Sequence, residues 1–170
     1  IASASVTDRA LLVHAARSRV PLLISTGMCN LEMVEAVVET IEDAGGEIAC
    51  LYHCTSTYPA LPEEINLAGI STLRERFPHL KIGYSGHEDG ILPSILSIAF
   101  GAVSVERHFT LDRTMWGSDQ SASIDVAQMK EMIAGIRLAE KVRGDGVIDI
   151  YARERPVMEK LRRPKPIEIR

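Results

Sequence analysis

Two histidines stand at matched places in the chain, each just after a short apolar run. His87 follows Lys81–Ser85, and His108 follows the run AVSVER twenty-one positions later. If both runs are neighbouring parallel strands, their ends meet at one edge, and both imidazoles can reach a single divalent cation. A lone histidine at such a place is more often a loop cap or a core residue. The pair, with Glu106 and Asp119 nearby, favours a metal site.

Hydroxyl side chains recur at the ends of the other apolar runs. Phosphate and carboxylate groups are bound where several hydroxyl and amide donors converge without bulk, so this recurrence favours an anion site. A single serine in a loop is usually only a turn residue. The sequence contains no Walker or dinucleotide-binding glycine motif and no serine hydrolase elbow. The hydroxyl-bearing residues are Ser3, Ser25, Thr26, Ser56 and Ser85.

Other polar features near these runs are less specific. His53 lies one residue inside its apolar run and belongs either to a pocket wall or to the core. We expect the glycine-containing segment Trp116–Gln120 to fold over a pocket mouth, with Asp119 facing substrate hydroxyl groups. The alternative is an ordinary loop with a buried tryptophan. His14 and His79 are predicted to face solvent.

Apolar runs alternate with helical segments along the chain, and this order predicts parallel β/α units. Polar residues at five strand ends favour a closed (β/α)8 barrel over a doubly wound sheet, whose site gathers at one switch point. Strands are predicted at Ile1–Ser3, Pro21–Thr26, Ile48–Thr55, Lys81–Ser85 and Ala102–Phe109. Helices are predicted at Asp8–Ser18, Leu31–Ala44, Glu63–Phe77, Gly90–Phe100 and Val126–Arg143.

Length, charge and composition limit the class of protein. The 170 residues suit one domain, and 46% hydrophobic residues can form a buried core. A net charge of −4 argues against a surface for nucleic acid or for an anionic membrane. No apolar run approaches the roughly 20 residues of a membrane span. The three cysteines are odd in number and predict reduced thiols in a cytoplasmic protein.

The two ends of the chain differ from its middle. The sequence begins at Ile1 within a strand-like segment, which suggests the C-terminal part of a longer protein. Residues 1–143 are predicted to form part of a catalytic barrel domain. Residues 144–170 contain three prolines and many basic residues, and we expect an extended tail or linker with one helical turn at Pro156–Arg162.

Five stretches of the sequence resemble the sialic acid synthase family, whose members make nine-carbon keto sugar acids from phosphoenolpyruvate. They occur in the family's order between Ile1 and about Arg143. The resemblance implies the C-terminal portion of the family's catalytic barrel, a (β/α)8 barrel of TIM type, covering about strands 4–8. The stretches are ISTGM (24–28), HCTSTYPA (53–60), GYSGH (83–87), ERHFTLDR (106–113) and GSD (117–119).

The resemblance also implies roles for the charged residues. His87 and His108 match the two metal-binding histidines of the family, which hold Mn2+, with Mg2+ and Co2+ as alternatives. Glu106 matches an acidic residue near the reacting carbons, so Glu106, His87 and His108 are the expected catalytic residues. Asp119 matches a residue that contacts the acceptor sugar.

The resemblance implies a phosphoenolpyruvate subsite built from hydroxyl groups. Ser3, Ser25 and Ser85 match serines that hold the phosphate group. Ser56 stands where the family has asparagine or serine in the same role, and Tyr58 borders the pocket. The implied reaction is a transferase reaction that condenses phosphoenolpyruvate with an N-acylamino sugar aldehyde and releases phosphate. The implied assembly is a homodimer.

Two positions depart from the family pattern, and two other functions stay open. Ser5 stands where many members have an acidic residue that binds the acceptor, so the acceptor sugar is not fixed. Gly86 replaces the usual aspartate before the first metal histidine, which removes a carboxylate from the site. The alternatives are an incomplete, non-catalytic barrel that folds only by association, and a metal-dependent barrel hydrolase.

Overall fold

The computed structural model describes residues 1–163 and has an α/β fold built on one parallel sheet. The strands lie in chain order, each pairing in parallel with the next. A doubly wound sheet reverses its strand order, whereas a β/α barrel does not, so the sheet is a half-barrel. The α/β class with parallel strands is confirmed, while the assignment to strands 4–8 stays a prediction. The strands are β1 (Leu22–Ser25), β2 (Ile48–Cys54), β3 (Ile82–Gly86) and β4 (Val105–Arg107).

Helices connect the strands, and those that follow Asp8, Asn30 and Asp125 begin at side-chain caps. The side chains of Asp8, Asn30 and Asp125 accept hydrogen bonds from backbone N–H groups three residues later, at 2.8–3.0 Å. These bonds satisfy donors that a helix start leaves free. The helices are α1 (Arg9–Arg17), α2 (Leu31–Asp43), α3 (Pro62–Ile65), α4 (Ala68–Arg76), α5 (Leu92–Leu96), α6 (Val126–Arg143) and α7 (Arg155–Leu161).

The core lies between the sheet and the helices on its outer face. The buried stripe of α2 includes Val34, Val38 and Ile41, and it belongs to the same core cluster as Ile24 of β1 and Leu51 of β2. Burying a side chain of this size contributes about 1.5–3 kcal/mol. The strands are thereby held rigidly, and their carboxyl ends are left free to carry polar side chains.

The predicted first strand, Ile1–Ser3, is wrong in extent. Residues Ser3–Ser5 form a 3-10 helix, and only Ile1 pairs like a strand, since its N–H donates to Leu23 and its carbonyl accepts from Ser25. The chain turns away at Ser3 because that side chain accepts a hydrogen bond from the Gly27 N–H at 3.0 Å.

Three other predicted elements differ in length. The helix expected at Glu63–Phe77 is divided into α3 and α4 because Asn66 adopts a left-handed conformation with φ of 44°. The helix expected at Gly90–Phe100 is confined to α5, since Gly90 has φ of 81° and cannot begin a helix. The strand expected at Ala102–Phe109 shortens to β4, which pairs with β3 over three residues.

The segment after α6 has little contact with the core. A 3-10 helix at Ala152–Glu154 is followed by α7, close to the helical turn predicted at Pro156–Arg162, and neither element buries a residue. The rest of the predicted tail, residues 164–170, lies outside the described part of the chain. Within residues 1–163, no helix is both long and apolar enough to span a membrane.

Candidate active site

A cavity of about 390 Å³ opens at the carboxyl ends of the strands and gathers most of the predicted site residues. Larger clefts lie outside the sheet; the one of about 990 Å³ beside α3 and α5 has a mainly apolar lining. The smaller cavity is the better candidate because its polar side chains converge. Every predicted site residue except Ser56 and Asp119 lines it. The lining residues are Ile1, Ala2, Ser3, Leu23, Ser25, Cys54, Tyr58, Ser85, His87, Glu106 and His108.

His87 lies one residue beyond β3 and is 6% exposed. Its Nδ1 is 2.7 Å from the carbonyl oxygen of Thr55. A carbonyl oxygen can only accept, so Nδ1 carries the proton and donates, and Nε2 keeps its lone pair in the neutral ring. Burial disfavours the imidazolium form, but contacts with Cys54 and Thr55 favour it more, and the pKa of His87 is raised.

His108 lies beside His87, one residue beyond β4. The two ring centroids are 5.1 Å apart. Tyr58 contacts both rings, with centroid distances of 4.2 Å to His87 and 5.7 Å to His108. Asp119 Oδ2 is 3.9 Å from Nδ1 of His108, so Asp119 stands at the cavity rim. The predicted pairing of the two histidines is therefore present in space.

The two imidazoles suit a shared divalent cation. A cation at about 2.0–2.1 Å from one nitrogen of each ring, with the ligands at roughly 90–110°, places the centroids about 5 Å apart, close to the observed 5.1 Å. Residues 1–163 contain no cluster of three or more His, Cys, Asp or Glu side chains arranged for a metal. A cation bound here would keep further coordination positions for water or substrate.

Glu106 and Ser85 face each other on neighbouring strands. Ser85 pairs with Glu106 in the register of β3 and β4, and its hydroxyl donates to Glu106 Oε1 at 2.8 Å. Ser85 is buried and Glu106 is exposed. The hydrogen bond fixes the carboxylate while leaving Oε2 free, so Glu106 can accept a further hydrogen bond from a ligand in the cavity.

Gly27 allows two predicted phosphate ligands to approach each other. A Cβ atom built at Gly27 would lie 2.1 Å from Ser56 Oγ and 2.7 Å from Ser3 Oγ. Both hydroxyls therefore border the space that any larger residue would fill. The Gly27 N–H already donates to Ser3 Oγ. Ser56 does not line the cavity itself, but its hydroxyl and that of Ser3 border the same space at Gly27.

Cys54 is the site residue that the sequence did not indicate. Its Sγ lies 3.6 Å from Ser3 Oγ, 3.8 Å from His87 Nδ1 and 3.9 Å from Ser56 Oγ. Burial alone would raise the pKa of this thiol, but the contacts with His87, Ser3 and Ser56 lower it overall. The thiol thus joins the histidine side of the cavity to its serine side.

His53 does not belong to this site. Its Nε2 is 2.8 Å from the Ile65 carbonyl oxygen, and a Cβ atom at Gly69 would lie 2.7 Å from its ring. His53 therefore faces the helices, which settles the choice left open by the sequence. The alternation of side chains along a strand could have predicted this, because Cys54 and His53 must point to opposite faces of the sheet.

The remaining polar features are at the surface. His14 is exposed, and His79, also largely exposed, contacts Glu42 at 2.9 Å, as predicted for solvent-facing residues. Trp116 is 98% exposed, so the alternative of a buried tryptophan is wrong. The segment Trp116–Gln120 lies near the rim through Asp119 and does not cover the cavity with its indole ring.

Comparison with known proteins identifies the family. The sequence profile of the NeuB family matches residues 1–148. The chain belongs to the NeuB family. This agrees with the resemblance carried by the strand-end motifs, and it assigns the cavity to a family whose relatives are named as sugar acid synthases.

Two curated relatives illustrate how much of a NeuB protein the chain covers. N,N'-diacetyllegionaminic acid synthase of Legionella pneumophila is 39% identical over 167 residues, which are 96% of this chain and 47% of the relative. N-acetylneuraminate-9-phosphate synthase of Drosophila melanogaster is 43% identical over 136 residues, 80% of this chain and 37% of the relative. The chain therefore spans about half the length of these relatives or less.

A solved structure in the family has the same fold. The crystal structure of N-acetylneuraminic acid synthetase from Leptospira borgpetersenii, in complex with citrate, superposes with a TM-score of 0.85 at 31% identity. The match covers 94% of this chain and 55% of that protein. This NeuB chain is accordingly the parallel half-barrel of a sugar acid synthase fold.

Proposed function

We propose that the protein containing this chain condenses phosphoenolpyruvate with an N-acylamino sugar aldehyde to give a nine-carbon keto sugar acid and inorganic phosphate. The observation that supports this most is the single cavity at the strand ends, where two imidazoles 5.1 Å apart, a carboxylate and several hydroxyls converge. Family membership supports a sugar acid synthase reaction, and the class we propose is a transferase that forms a C–C bond.

The reaction balances without any oxidant or reductant. C3 of phosphoenolpyruvate forms a bond to the aldehyde carbon, and the aldehyde oxygen takes up a proton to become a hydroxyl group. A water oxygen adds at C2, the bond from C2 to the phosphate oxygen breaks, and C2 becomes a ketone as phosphate leaves. Positioning and charge stabilisation are the main contributions that a protein can make to such a reaction.

The serine side of the cavity would hold phosphoenolpyruvate. The Ser3 hydroxyl oxygen accepts from the Gly27 N–H, and its proton, which is directed at Cys54 Sγ at 3.6 Å, would turn toward an anionic ligand. Ser25 lines the cavity beside it, and Ser56 adjoins Ser3 through the space at Gly27. Hydrogen bonds to a charged phosphate are each worth about 1.5–3 kcal/mol, so a few such donors can set the affinity.

The carboxylate side would act on the reacting carbons. Ser85 donates to Glu106 Oε1 and fixes the carboxylate, so that Oε2 can orient the water that adds at C2. Tyr58 packs on both imidazoles and limits the space open to the substrate. Asp119, 3.9 Å from His108 at the rim, would accept from hydroxyl groups of the acceptor sugar.

His87 and His108 would hold the divalent cation, for which Mn2+ is proposed and Mg2+ and Co2+ are alternatives. When bound, the cation would polarise the aldehyde carbonyl as a Lewis acid. The proton on Nδ1 of His87, donated to Thr55, keeps the ring in the tautomer that offers Nε2 as the ligand atom.

The acceptor is proposed as an N-acylamino sugar class rather than as one sugar. The two curated relatives described above are named for different products, and Ser5 and Gly86 depart from the family pattern expected from the sequence. A homodimeric assembly and a cytoplasmic location complete the proposal. The three cysteines of this chain are free thiols, which agrees with a reducing compartment.

The test is phosphate release by the full-length protein with Mn2+, phosphoenolpyruvate and a panel of N-acylamino sugars. Release should require both substrates, and mass spectrometry should show the joined keto acid. His87→Ala and His108→Ala should each abolish turnover and weaken Mn2+ binding, whereas the surface control His79→Ala should not. Turnover retained in both variants would refute the metal assignment, and phosphate release without an acceptor would favour a hydrolase.

A further inference from the structure

A buried ion pair lies directly behind the two histidines. Glu88 follows His87 in the chain, and Arg107 precedes His108. Arg107 Nη1 is 2.9 Å from Glu88 Oε1, and the two side chains are 1% and 2% exposed. The pair therefore connects the residue after one proposed metal ligand to the residue before the other.

The pair is part of a hydrogen-bonded network that fixes both partners. Ser94 donates to Glu88 Oε1 at 2.7 Å, and the Tyr84 hydroxyl donates to Oε2 at 2.8 Å. Arg107 also donates to the carbonyl oxygens of Glu88 and Gly90, both at 2.8 Å. The guanidinium thus contacts the backbone of the loop that carries His87 as well as its side chains.

The pairing of β3 with β4 stops short of both histidines, whose carbonyl oxygens accept hydrogen bonds from other segments, at Ala60 and Ile124. β3 and β4 pair only from Tyr84 with Val105 to Gly86 with Arg107, and each histidine lies one residue beyond the last pair. A buried ion pair is no efficient way to gain stability, because apolar residues of similar volume serve as well or better. Its best-attested use is to specify one geometry, and here that geometry includes the positions of the histidines.

Gly86 provides the space for the carboxylate of Glu88. A Cβ atom built at Gly86 would lie 2.4 Å from Glu88 Oε2 and 2.8 Å from the Tyr84 ring. The sequence suggested that glycine at position 86 removes a carboxylate from the site; the space beside Gly86 holds the carboxylate of Glu88, which lies outside the cavity itself. Because Gly86 pairs with Arg107 across the sheet, a side chain at position 86 would also face the guanidinium.

We infer that the Glu88–Arg107 pair is a positioning element that sets the spacing of His87 and His108, and through it the affinity for the divalent cation. The inference rests on the proposed function, in which His87 and His108 are the two ligands of the cation. Neither residue lines the cavity at the strand ends, so they act through the histidines and not on the substrate. Because position 86 lies opposite Arg107 in the sheet, a carboxylate placed there should be able to replace that of Glu88.

The test relocates the carboxylate in the full-length protein. Four variants are compared: Glu88→Gln, Glu88→Ala, Gly86→Asp and the double variant Gly86→Asp/Glu88→Ala. The dissociation constant for Mn2+ is measured from the electron paramagnetic resonance signal of free Mn2+, and melting temperatures are measured without metal. Glu88→Gln, which keeps the shape of the side chain, should weaken Mn2+ binding about 10- to 100-fold, the range seen when partners of metal ligands are lost.

The double variant separates a positioning role from a purely structural one. Gly86→Asp alone should lose stability because it clashes with Glu88 and adds a second buried carboxylate. In the double variant, the Asp at position 86 should make the dissociation constant for Mn2+ at least tenfold lower than that of Glu88→Ala. Ile41→Ala, a core change in α2, is the control; it should lower the melting temperature without changing the dissociation constant.

Different outcomes overturn different conclusions. Unchanged Mn2+ binding in Glu88→Gln, or a double variant no better than Glu88→Ala in both affinity and melting temperature, would overturn the positioning role. If the unmodified protein binds Mn2+ through the two histidines but does not condense phosphoenolpyruvate with any acylamino sugar, the proposed function fails while the positioning role still stands.

Discussion

Gly27→Ala is the substitution that tests the serine side of the cavity most directly. The new Cβ atom would lie 2.1 Å from Ser56 Oγ, 2.7 Å from Ser3 Oγ and 3.1 Å from Ser3 Cβ, whereas ordinary contacts begin at 3.4 Å. The Ser56 hydroxyl must therefore move by more than about 1 Å, and a misplacement of that size near reacting groups can reduce the rate about 100-fold.

The free-energy estimate gives a similar magnitude. If the shift removes one hydrogen bond to the phosphate of phosphoenolpyruvate, the loss is about 1.5–3 kcal/mol. With 1.4 kcal/mol for each factor of ten, kcat/KM for phosphoenolpyruvate should fall roughly 10- to 150-fold. The Mn2+ dissociation constant should stay within about twofold of the original value, because the atoms nearest the new Cβ belong to Ser56 and Ser3 and not to either histidine.

The assay is the initial rate of phosphate release at saturating acceptor and varied phosphoenolpyruvate, with Ser56→Ala as the matched background. Removing the Ser56 hydroxyl removes the shortest contact, so Gly27→Ala should cost less in that background than in the original protein. An unchanged KM and kcat in Gly27→Ala, or an equal cost in both backgrounds, would show that the convergence of Ser3 and Ser56 does not matter for phosphoenolpyruvate.

Two further predictions separate the site from the framework that supports it. His53→Gln should leave kcat and Mn2+ affinity within about twofold of the original values and reduce the free energy of unfolding by about 0.5–1.5 kcal/mol. The reason is that the ring contacts the Ile65 carbonyl and not the cavity. A loss of activity as large as that of His87→Ala would place His53 in the site. Ile41→Ala should reduce the free energy of unfolding by about 2–5 kcal/mol, because Ile41 is fully buried. Urea unfolding with an unchanged slope would measure this, and a loss below about 1 kcal/mol would contradict the role of the α2 stripe in the core.

The parallel β/α order was predictable because its signals are local and repeated. Asn30 and Asp125 are residue types that favour helix N-caps, and both cap their helices; the stripe of Val34, Val38 and Ile41 in α2 is buried. The break at Asn66 was not predictable in the same way, since an apolar period does not show that one residue is left-handed. Strand lengths also depend on partners, and Ser3 leaves its strand position to contact Gly27.

The gathering of the site residues was predictable from topology, but their contacts were not. Ser25, Ser85, Glu106 and the two histidines end parallel strands or lie just beyond them, and parallel strands bring their carboxyl ends to one edge of the sheet. Cys54 was missed because a thiol in an apolar run has the composition of a core residue. Its function as a link between Ser3 and His87 depends on distances that only the folded chain defines.

Position 86 shows why a motif must be interpreted in space. When the sequence is compared with the family pattern position by position, the glycine before His87 means the loss of a carboxylate. In the folded chain the space beside Gly86 is filled by the carboxylate of Glu88, which is bound to Arg107 opposite Gly86 in the sheet. Gly86 and Glu88, on either side of His87, therefore act as a single unit. A larger residue at position 86 would take the space of the Glu88 carboxylate, and loss of Glu88 would leave Arg107 without that carboxylate.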